Sequence, residues 1–359
     1  MKSINTLILA AALLSCSSCV TYYTVVPQLH PDGSLTETYY TDADSACLAG
    51  DLSSQPFFFK LGDDWQTGPM DKPTVQWFIG DSAVMDFYAT RHMAKGDTAT
   101  RLTPASEDYA GLPYLDSKQE WNRDWGLFYH TYTYTCRFPS TRDRMPAPLE
   151  DHMTPEEIRA WLTDAGDLRG MSGAEVYDMT SSLMDKFSEW ENHCYYEEIY
   201  RLITQTCGDT LTAAQKKELF GQMRGKFTYS IDGLSSTRKA SIATMAKAMT
   251  DISGNPAFSQ AIETHLDQWN TDIEKTEESL LMPMTLVLMY KVEMPGRLIS
   301  ANTDLKDNDI PVWKVDGLRL LDSDVVIEAT SRKANPLGFI LTGFVVLFFL
   351  RLVFRPRPR

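Results

Sequence analysis

The chain has 359 residues, of which 43% are hydrophobic and 11% aromatic, and its formal net charge is −14. This length and composition predict a packed core in one large or two ordinary domains, and they exclude a disordered chain. Without Lys2 and the last four arginines the charge is −19 (−14 − 1 − 4). Such an acidic body disfavours nucleic acid and anionic lipid headgroups as direct partners and is compatible with cationic partners or bound divalent cations.

Residues 1–15, MKSINTLILAAALLS, place one lysine before an apolar run, which is the pattern of a secretory signal peptide. Leu13 stands three residues before Cys16 and Ser15 directly before it, so this stretch resembles the lipobox of bacterial lipoprotein precursors. The resemblance implies cleavage before Cys16 and lipid, including palmitate, on that cysteine. Cys19 is a poorer candidate because a cysteine occupies its −3 position. The alternative is an ordinary signal peptide cut nearby without lipid.

Four more cysteines follow: Cys47, Cys136, Cys194 and Cys207. A lipoprotein of the periplasm is in a compartment that permits disulfides. Four cysteines allow three pairings, and the sequence does not choose among them or exclude free thiols. No C-x-x-C pair occurs, so a zinc ribbon or a thioredoxin-like motif is not supported.

Residues 16–149 have a β-rich pattern. Val20 to Gln28 and Leu35 to Thr41 alternate around an Asp-Gly turn, which predicts a β-hairpin. Leu127 to Phe138 is the clearest further strand, because aromatic and threonine residues alternate along it. His130 lies among the aromatic residues, and we expect it to be a half-buried sheet residue.

Gly80-Asp81-Ser82 follows an apolar strand and resembles the nucleophile block of the SGNH hydrolases. That family also needs a D-x-x-H block, and none of the six histidines has an aspartate three residues before it. We therefore interpret the tripeptide as a hairpin turn. The alternative is a hydrolase site assembled from distant residues, with Ser82 or Cys47 as nucleophile and His92 or His130 as base.

Residues 150–282 have the pattern of a helical block. Thr154 with Glu157, and Ser172 with Glu175, predict two capping boxes that begin helices. One predicted helix face carries Val176, Met179, Leu183, Phe187, Trp190 and Cys194.

His193 and Glu197 would share a face of this helix at i and i+4. Two ligands are too few for a closed metal site, so we expect a solvated face there and no metal.

Residues 283–334 return to strands, and here the chain resembles the extracytoplasmic domain of LppM-type lipoproteins. The fixed points of the resemblance are Asp32, Gly33, Pro295, Gly296, Asn302 and Trp313. The resemblance implies a β domain closed by the first and last segments of the chain, and an envelope-anchored role that handles lipid or glycolipid. The helical block departs from that pattern and would be an insertion. No catalytic residue is carried over.

Residues 335–354 begin Asn335-Pro336 and are almost wholly apolar from Leu337 to Phe354, which predicts a transmembrane helix. Basic residues stay on the cytoplasmic side, so residues 355–359, RPRPR, are predicted to be a cytoplasmic tail.

Together these patterns predict an α+β protein. Its antiparallel β domain is formed by N- and C-terminal segments around a helical insertion, with one C-terminal transmembrane helix. The expected function is that of a non-enzymatic lipoprotein tethered to the bacterial inner membrane, with its ectodomain in the periplasm. Its expected partners are the membrane, through the C-terminal helix and Cys16, and an envelope protein, a lipid or a glycan. No catalytic, metal or cofactor-binding residue is predicted.

Overall fold

The computed structural model describes residues 20–78, 81–97, 101–163, 170–227 and 235–354. The chain divides into two compact units. The first, the sheet unit, contains Met1–Pro139, Leu286–Asp316 and Asp324–Arg359, and the second, the helical unit, contains Ser140–Thr285 and Gly317–Ser323. The chain is therefore α+β.

The strands of the sheet unit form a seven-stranded and a four-stranded sheet. In chain order they are β1 (Thr21–Leu29), β2 (Leu35–Thr41), β3 (Trp65–Phe78), β4 (Asp81–Met93), β5 (Lys118–Asp124), β6 (Tyr129–Phe138), β7 (Leu286–Lys291), β8 (Arg297–Ala301), β9 (Lys306–Asp307), β10 (Ile310–Asp316) and β11 (Val325–Ala334). The larger sheet has the order β3-β4-β2-β1-β7-β10-β9, and the smaller has the order β5-β6-β11-β8.

The predicted N-terminal hairpin is confirmed. Strands β1 and β2 pair antiparallel, with Val25 opposite Tyr39. Gly33 has φ +93°, a backbone conformation that favours glycine, and the Asp32 carboxylate accepts a hydrogen bond from the Ser34 amide at 2.9 Å. The predicted hairpin at Gly80-Asp81-Ser82 is also supported, because Phe78 pairs antiparallel with Asp81 on either side of residues 79–80, which lie outside the described part.

The prediction of an antiparallel β domain is wrong at one pair of strands. Strand β7 pairs parallel to β1, with Tyr23 opposite Leu288, so the larger sheet is mixed. A parallel pair needs a long crossover connection, and the long stretch of chain between β1 and β7 provides one. A pattern of alternating side chains identifies strand residues but carries no information on strand direction.

The helical unit contains five long or medium helices and a short one within its described residues. They are α2 (Pro155–Leu162), α3 (Gly173–Cys207), α4 (Ala213–Met223), α5 (Ser235–Ser253), α6 (Ala257–Leu281) and α7 (Gly317–Asp322), while the short α1 (Ser45–Leu48) and the C-terminal α8 (Pro336–Val353) belong to the sheet unit. Short 3-10 helices occur at Leu52–Ser54, Glu107–Tyr109, Pro113–Asp116, Arg142–Arg144, Leu149–Asp151 and Met282–Thr285.

Both predicted capping boxes are confirmed. The side chains of Thr154 and Ser172 accept the backbone N–H of Glu157 and Glu175, and each glutamate accepts the cap residue's own N–H in return. The predicted face of α3 is largely buried, since Leu183, Trp190 and Cys194 belong to one core cluster with Met179 and Phe187 packed against it. A second cluster joins α3 to α4, α5 and α6.

The prediction of a transmembrane helix is wrong. Helix α8 runs from Pro336 to Val353 and has 18 residues, so it measures about 27 Å at about 1.5 Å per residue. The hydrocarbon core of a bilayer is about 30 Å thick. In the described part of the chain no helix is both long and apolar enough to cross a membrane. The prediction counted residues on to Phe354, which lies beyond the helix. The predicted cytoplasmic position of residues 355–359 depended on that span, and those residues lie outside the described part.

A buried ion pair lies between the two sheets of the sheet unit. Arg91 on β4 faces Glu37 on β2, with 2.7 Å between Nη2 and Oε2, and their side chains are only 5% and 3% exposed. Gln119 on β5 donates from Nε2 to the same carboxylate at 3.2 Å and to the Tyr134 hydroxyl at 2.7 Å. The guanidinium also lies 4.7 Å from the centroid of the Trp65 ring. The pair thus fixes how the smaller sheet packs on the larger one.

Replacement of Arg91 by Met should destabilise the protein by roughly 3–5 kcal/mol, because it leaves a buried, unpaired carboxylate. The double variant Arg91→Met/Glu37→Leu should recover part of that loss. Arg159, whose pair with Glu156 is solvent-exposed, is the control, and Arg159→Met should cost less than about 1 kcal/mol. Urea unfolding followed by circular dichroism measures these differences, and equal losses for Arg91→Met and Arg159→Met would contradict the structural role of the buried pair.

Candidate functional site

The predicted lipidation site lies outside the described residues. Residues 1–19, which include the signal peptide, Cys16 and Cys19, are not part of the described chain, so the structure does not test lipid attachment. The later cysteines Cys47, Cys136, Cys194 and Cys207 are free thiols.

Exposed apolar side chains are concentrated at the C-terminal end of the sheet unit. We define the C-terminal apolar surface as the exposed apolar side chains of residues 337–352 and Phe354 together with Trp125, Leu127, Phe128 and Tyr129. Trp125 is 69% exposed and Phe344 is 67% exposed. Contiguous apolar surface of this kind on a folded protein marks a site that binds lipid or another macromolecule.

Helix α8 is apolar all the way round. Phe344 through Leu350 are consecutive residues, each with a large apolar side chain that is exposed. Seven consecutive positions cover almost two turns of a helix and therefore point in every direction around its axis. A helix packed on one side of a soluble protein has one apolar stripe and one polar face. This helix therefore has no polar face over those turns.

The base of α8 is fixed to the loop between β5 and β6. The Asn335 backbone N–H donates to the Phe128 carbonyl at 2.8 Å. Its side-chain Nδ2 donates to the carbonyls of Gly126 at 3.2 Å and Leu127 at 3.1 Å. A β-carbon on Gly338 would overlap the Leu127 carbonyl oxygen, so the helix backbone approaches the loop as closely as glycine permits.

Aromatic contacts complete the attachment of the helix to this loop. The ring of Phe339 lies 5.1 Å from that of Phe128 and 5.7 Å from that of Tyr129, measured between centroids. The exposed side chains of the loop and the helix therefore form one continuous surface. Sequence analysis assigned Leu127 and Phe128 to a strand and missed this contact. The apolar sequence Trp125-Gly126-Leu127-Phe128-Tyr129 was the available signal.

A polar groove lies elsewhere in the sheet unit. It has a volume of about 790 Å³ and lies between β8, the end strand of the smaller sheet, and the segment that contains β9 and the start of β10. Ser300, Thr303, Asp304, Lys306 and Asn308 are among its lining residues. Such a groove offers hydrogen-bond donors and acceptors to a polar ligand.

The structure does not bring together the residues of the hydrolase alternative. Ser82 and His92 lie ten positions apart on β4, which is about 33 Å at about 3.3 Å per residue. Cys47 is buried, and burial, followed by Asp44 and Asp51, raises the pKa of its thiol, which disfavours the reactive thiolate. His130 is buried against the ring of Trp125 at 4.5 Å, and burial lowers the pKa of His130.

None of the six histidines hydrogen-bonds to a serine or a cysteine within the described residues. Their partners are threonines, a second histidine, Glu197 and a backbone carbonyl. No observation therefore favours the hydrolase.

His193 does not lie on the solvated face expected for it. Its Nδ1 is 3.0 Å from Nε2 of His152, and its Nε2 is 3.4 Å from the Glu197 carboxylate. The His193 side chain is half-buried, with its ring 4.6 Å from that of Phe220. Among the described residues no cluster of three or more histidine, cysteine or acidic side chains could hold a metal ion.

The residues shared with the LppM-type pattern have structural roles. Gly33 occupies the β1–β2 turn, and its carbonyl accepts the Trp121 indole N–H at 3.1 Å. Gly296 has φ +80°, and a β-carbon there would overlap the Arg332 carbonyl oxygen. These glycines permit close approaches of backbone and side chain that hold turns against strands.

The side chain of Asn302 makes three hydrogen bonds. Its Oδ1 accepts the Trp313 indole N–H at 2.8 Å and the Glu328 backbone N–H at 2.9 Å, while its Nδ2 donates to the Val326 carbonyl at 2.8 Å. It thus links β10 of the larger sheet to β11 of the smaller one.

No protein-family model, curated protein or solved structure matches the chain. The lipoprotein and LppM-type resemblances therefore stay predictions.

Replacement of Gly338 by Ala should detach the base of α8, because the added methyl group overlaps the Leu127 carbonyl. We expect faster hydrogen–deuterium exchange at the Asn335 amide and in residues 126–129. Gly343→Ala is the matched control on the same helix, since nothing lies within 4 Å of its β-carbon. Equal exchange in the two variants would show that the helix base is not held by this contact.

Proposed function

We propose that the protein is a non-enzymatic envelope lipoprotein that is attached to the bacterial inner membrane and binds its partners in the periplasm. The observation that carries the proposal is the C-terminal apolar surface. An all-round apolar helix that leaves the sheet unit at a loop rich in exposed aromatic residues needs an apolar cover. A lipid surface is an apolar cover of this kind.

The aromatic residues at the base of the helix favour lipid over a partner protein. Trp125 and Tyr129 are exposed there, beside Phe339 on the first turns of the helix. Tryptophan and tyrosine are enriched where a membrane meets water, because their rings are amphipathic. The geometry thus supports a base at headgroup level and a helix in contact with acyl chains.

The lipobox-like sequence at Cys16 supplies the second part of the proposal. One acyl chain binds a membrane weakly and reversibly, and stable attachment takes two signals. A lipid on Cys16 and the C-terminal apolar surface would be two such signals on one chain. The polar groove beside β8 supports a binding role for the rest of the sheet unit, with a glycan or an extended peptide as the class of ligand.

Apolar side chains of α8 should determine how tightly the unlipidated protein binds vesicles. In the full chain carrying Cys16→Ser, Phe344→Asn/Phe348→Asn should weaken vesicle binding at least about 100-fold, because each buried phenylalanine contributes about 1.5–3 kcal/mol. The control is Leu52→Asn/Tyr177→Asn, which replaces exposed apolar residues outside the surface and should leave binding unchanged. Vesicle flotation measures the bound fraction. If Phe344→Asn/Phe348→Asn binds vesicles as well as its parent, the result contradicts the proposal.

The mature protein extracted from membranes should have an intact mass that begins at Cys16 and includes a diacyl- or triacylglyceryl group. Reduction should leave this mass unchanged, because the four later cysteines are free thiols. An unlipidated mass would contradict the lipoprotein assignment and weaken the LppM-type resemblance, leaving the C-terminal apolar surface as the attachment.

A further inference from the structure

We infer that the base of the C-terminal apolar surface selects anionic lipid headgroups. This inference rests on the proposed membrane attachment and specifies the lipid class that it uses. The residues that carry it are Arg297, Arg332 and Lys333, which we call the basic base.

The basic base lies where the smaller sheet ends and α8 begins. Arg332 and Lys333 are exposed residues of β11, and Asn335, two positions further on, starts the contacts of the helix base. Arg297 on β8 is exposed and directly opposite Arg332 in the strand register, so these two side chains lie on the same face of the sheet. No carboxylate forms an ion pair with any of the three within the described residues.

The basic base and the exposed aromatic residues are at the same level of the sheet. Ala334 is opposite Tyr129, and Lys333 is opposite His130, whose ring contacts Trp125. If the aromatic residues lie at the interface of the membrane, the three cations lie there too. Arginine and lysine at this level reach phosphate groups while their methylene chains contact apolar surface.

The distribution of charge along the chain reinforces this arrangement. Residues 332–359 contain six basic residues and no acidic one, so the rest of the chain carries −20 (−14 − 6). The acidity of the whole chain disfavours anionic lipid, as the sequence indicates. At physiological ionic strength, however, charges interact over only about 8 Å. The local cluster therefore determines headgroup preference.

The test uses the full chain with Cys16→Ser, so that the acyl anchor does not mask weaker binding. Its affinity is measured for vesicles of phosphatidylcholine alone and for vesicles that also contain phosphatidylglycerol. Each basic residue near an anionic surface strengthens binding about fivefold. The parent should therefore prefer the anionic vesicles by at least about 100-fold at low salt.

The variant Arg297→Gln/Arg332→Gln/Lys333→Gln should lose on the order of 100-fold of this preference while it still binds phosphatidylcholine. The control Lys217→Gln/Lys226→Gln/Lys247→Gln removes the same charge from exposed positions of the helical unit and should keep the preference. Equal binding of the parent to both vesicles, or a full preference in the basic-base variant, would overturn the inference and leave membrane attachment intact. Binding to neither vesicle would overturn the proposed function itself.

Discussion

The sheet unit depends on one buried ion pair, Arg91 with Glu37. Both residues come from neighbouring strands of the larger sheet, but Gln119 of the smaller sheet donates to the carboxylate and to the Tyr134 hydroxyl. Two charges without water are tolerated only when their mutual attraction and further hydrogen bonds offset the cost of desolvation. The network therefore permits few relative positions of the two sheets. Hydrophobic packing is not directional and by itself would define the relative position of the sheets less closely.

The position of the C-terminal apolar surface follows from strand pairing within the smaller sheet. Strand β11 pairs with β6 on one side and β8 on the other, so its last residues place Asn335 against the β5–β6 loop. Close approach at Gly338 then sets the direction in which α8 leaves the sheet. The same three strands place Arg297 opposite Arg332 and, two residues further along β11, Tyr129 opposite Ala334. A strand that is central in the sheet thus carries the surface proposed to meet the membrane.

Local signals in the sequence predicted local structure well. The Asp32-Gly33 turn and the capping box at Thr154 were identified because each depends on residues close together in the chain. The parallel pairing of β1 with β7 was not predictable, because it depends on the path of more than 200 intervening residues. The spanning helix was predicted from hydropathy, but the residue at which the helix ends depends on backbone geometry. The contact of Gly338 with Leu127 was missed for the same reason: it is a close approach of backbones distant in sequence.

The acidic charge of the chain and its basic end act together. An apolar helix by itself would bind any lipid and would leave the orientation of the body undetermined. The basic residues at the helix base attract the anionic surface, and the acidic remainder, which carries −17 (−14 − 3) without those three residues, is repelled by it. Because both effects decay within a Debye length, they act mainly on the parts nearest the membrane. The basic residues at the helix base, which lie nearest the proposed membrane contact, therefore dominate the electrostatic interaction with the headgroups.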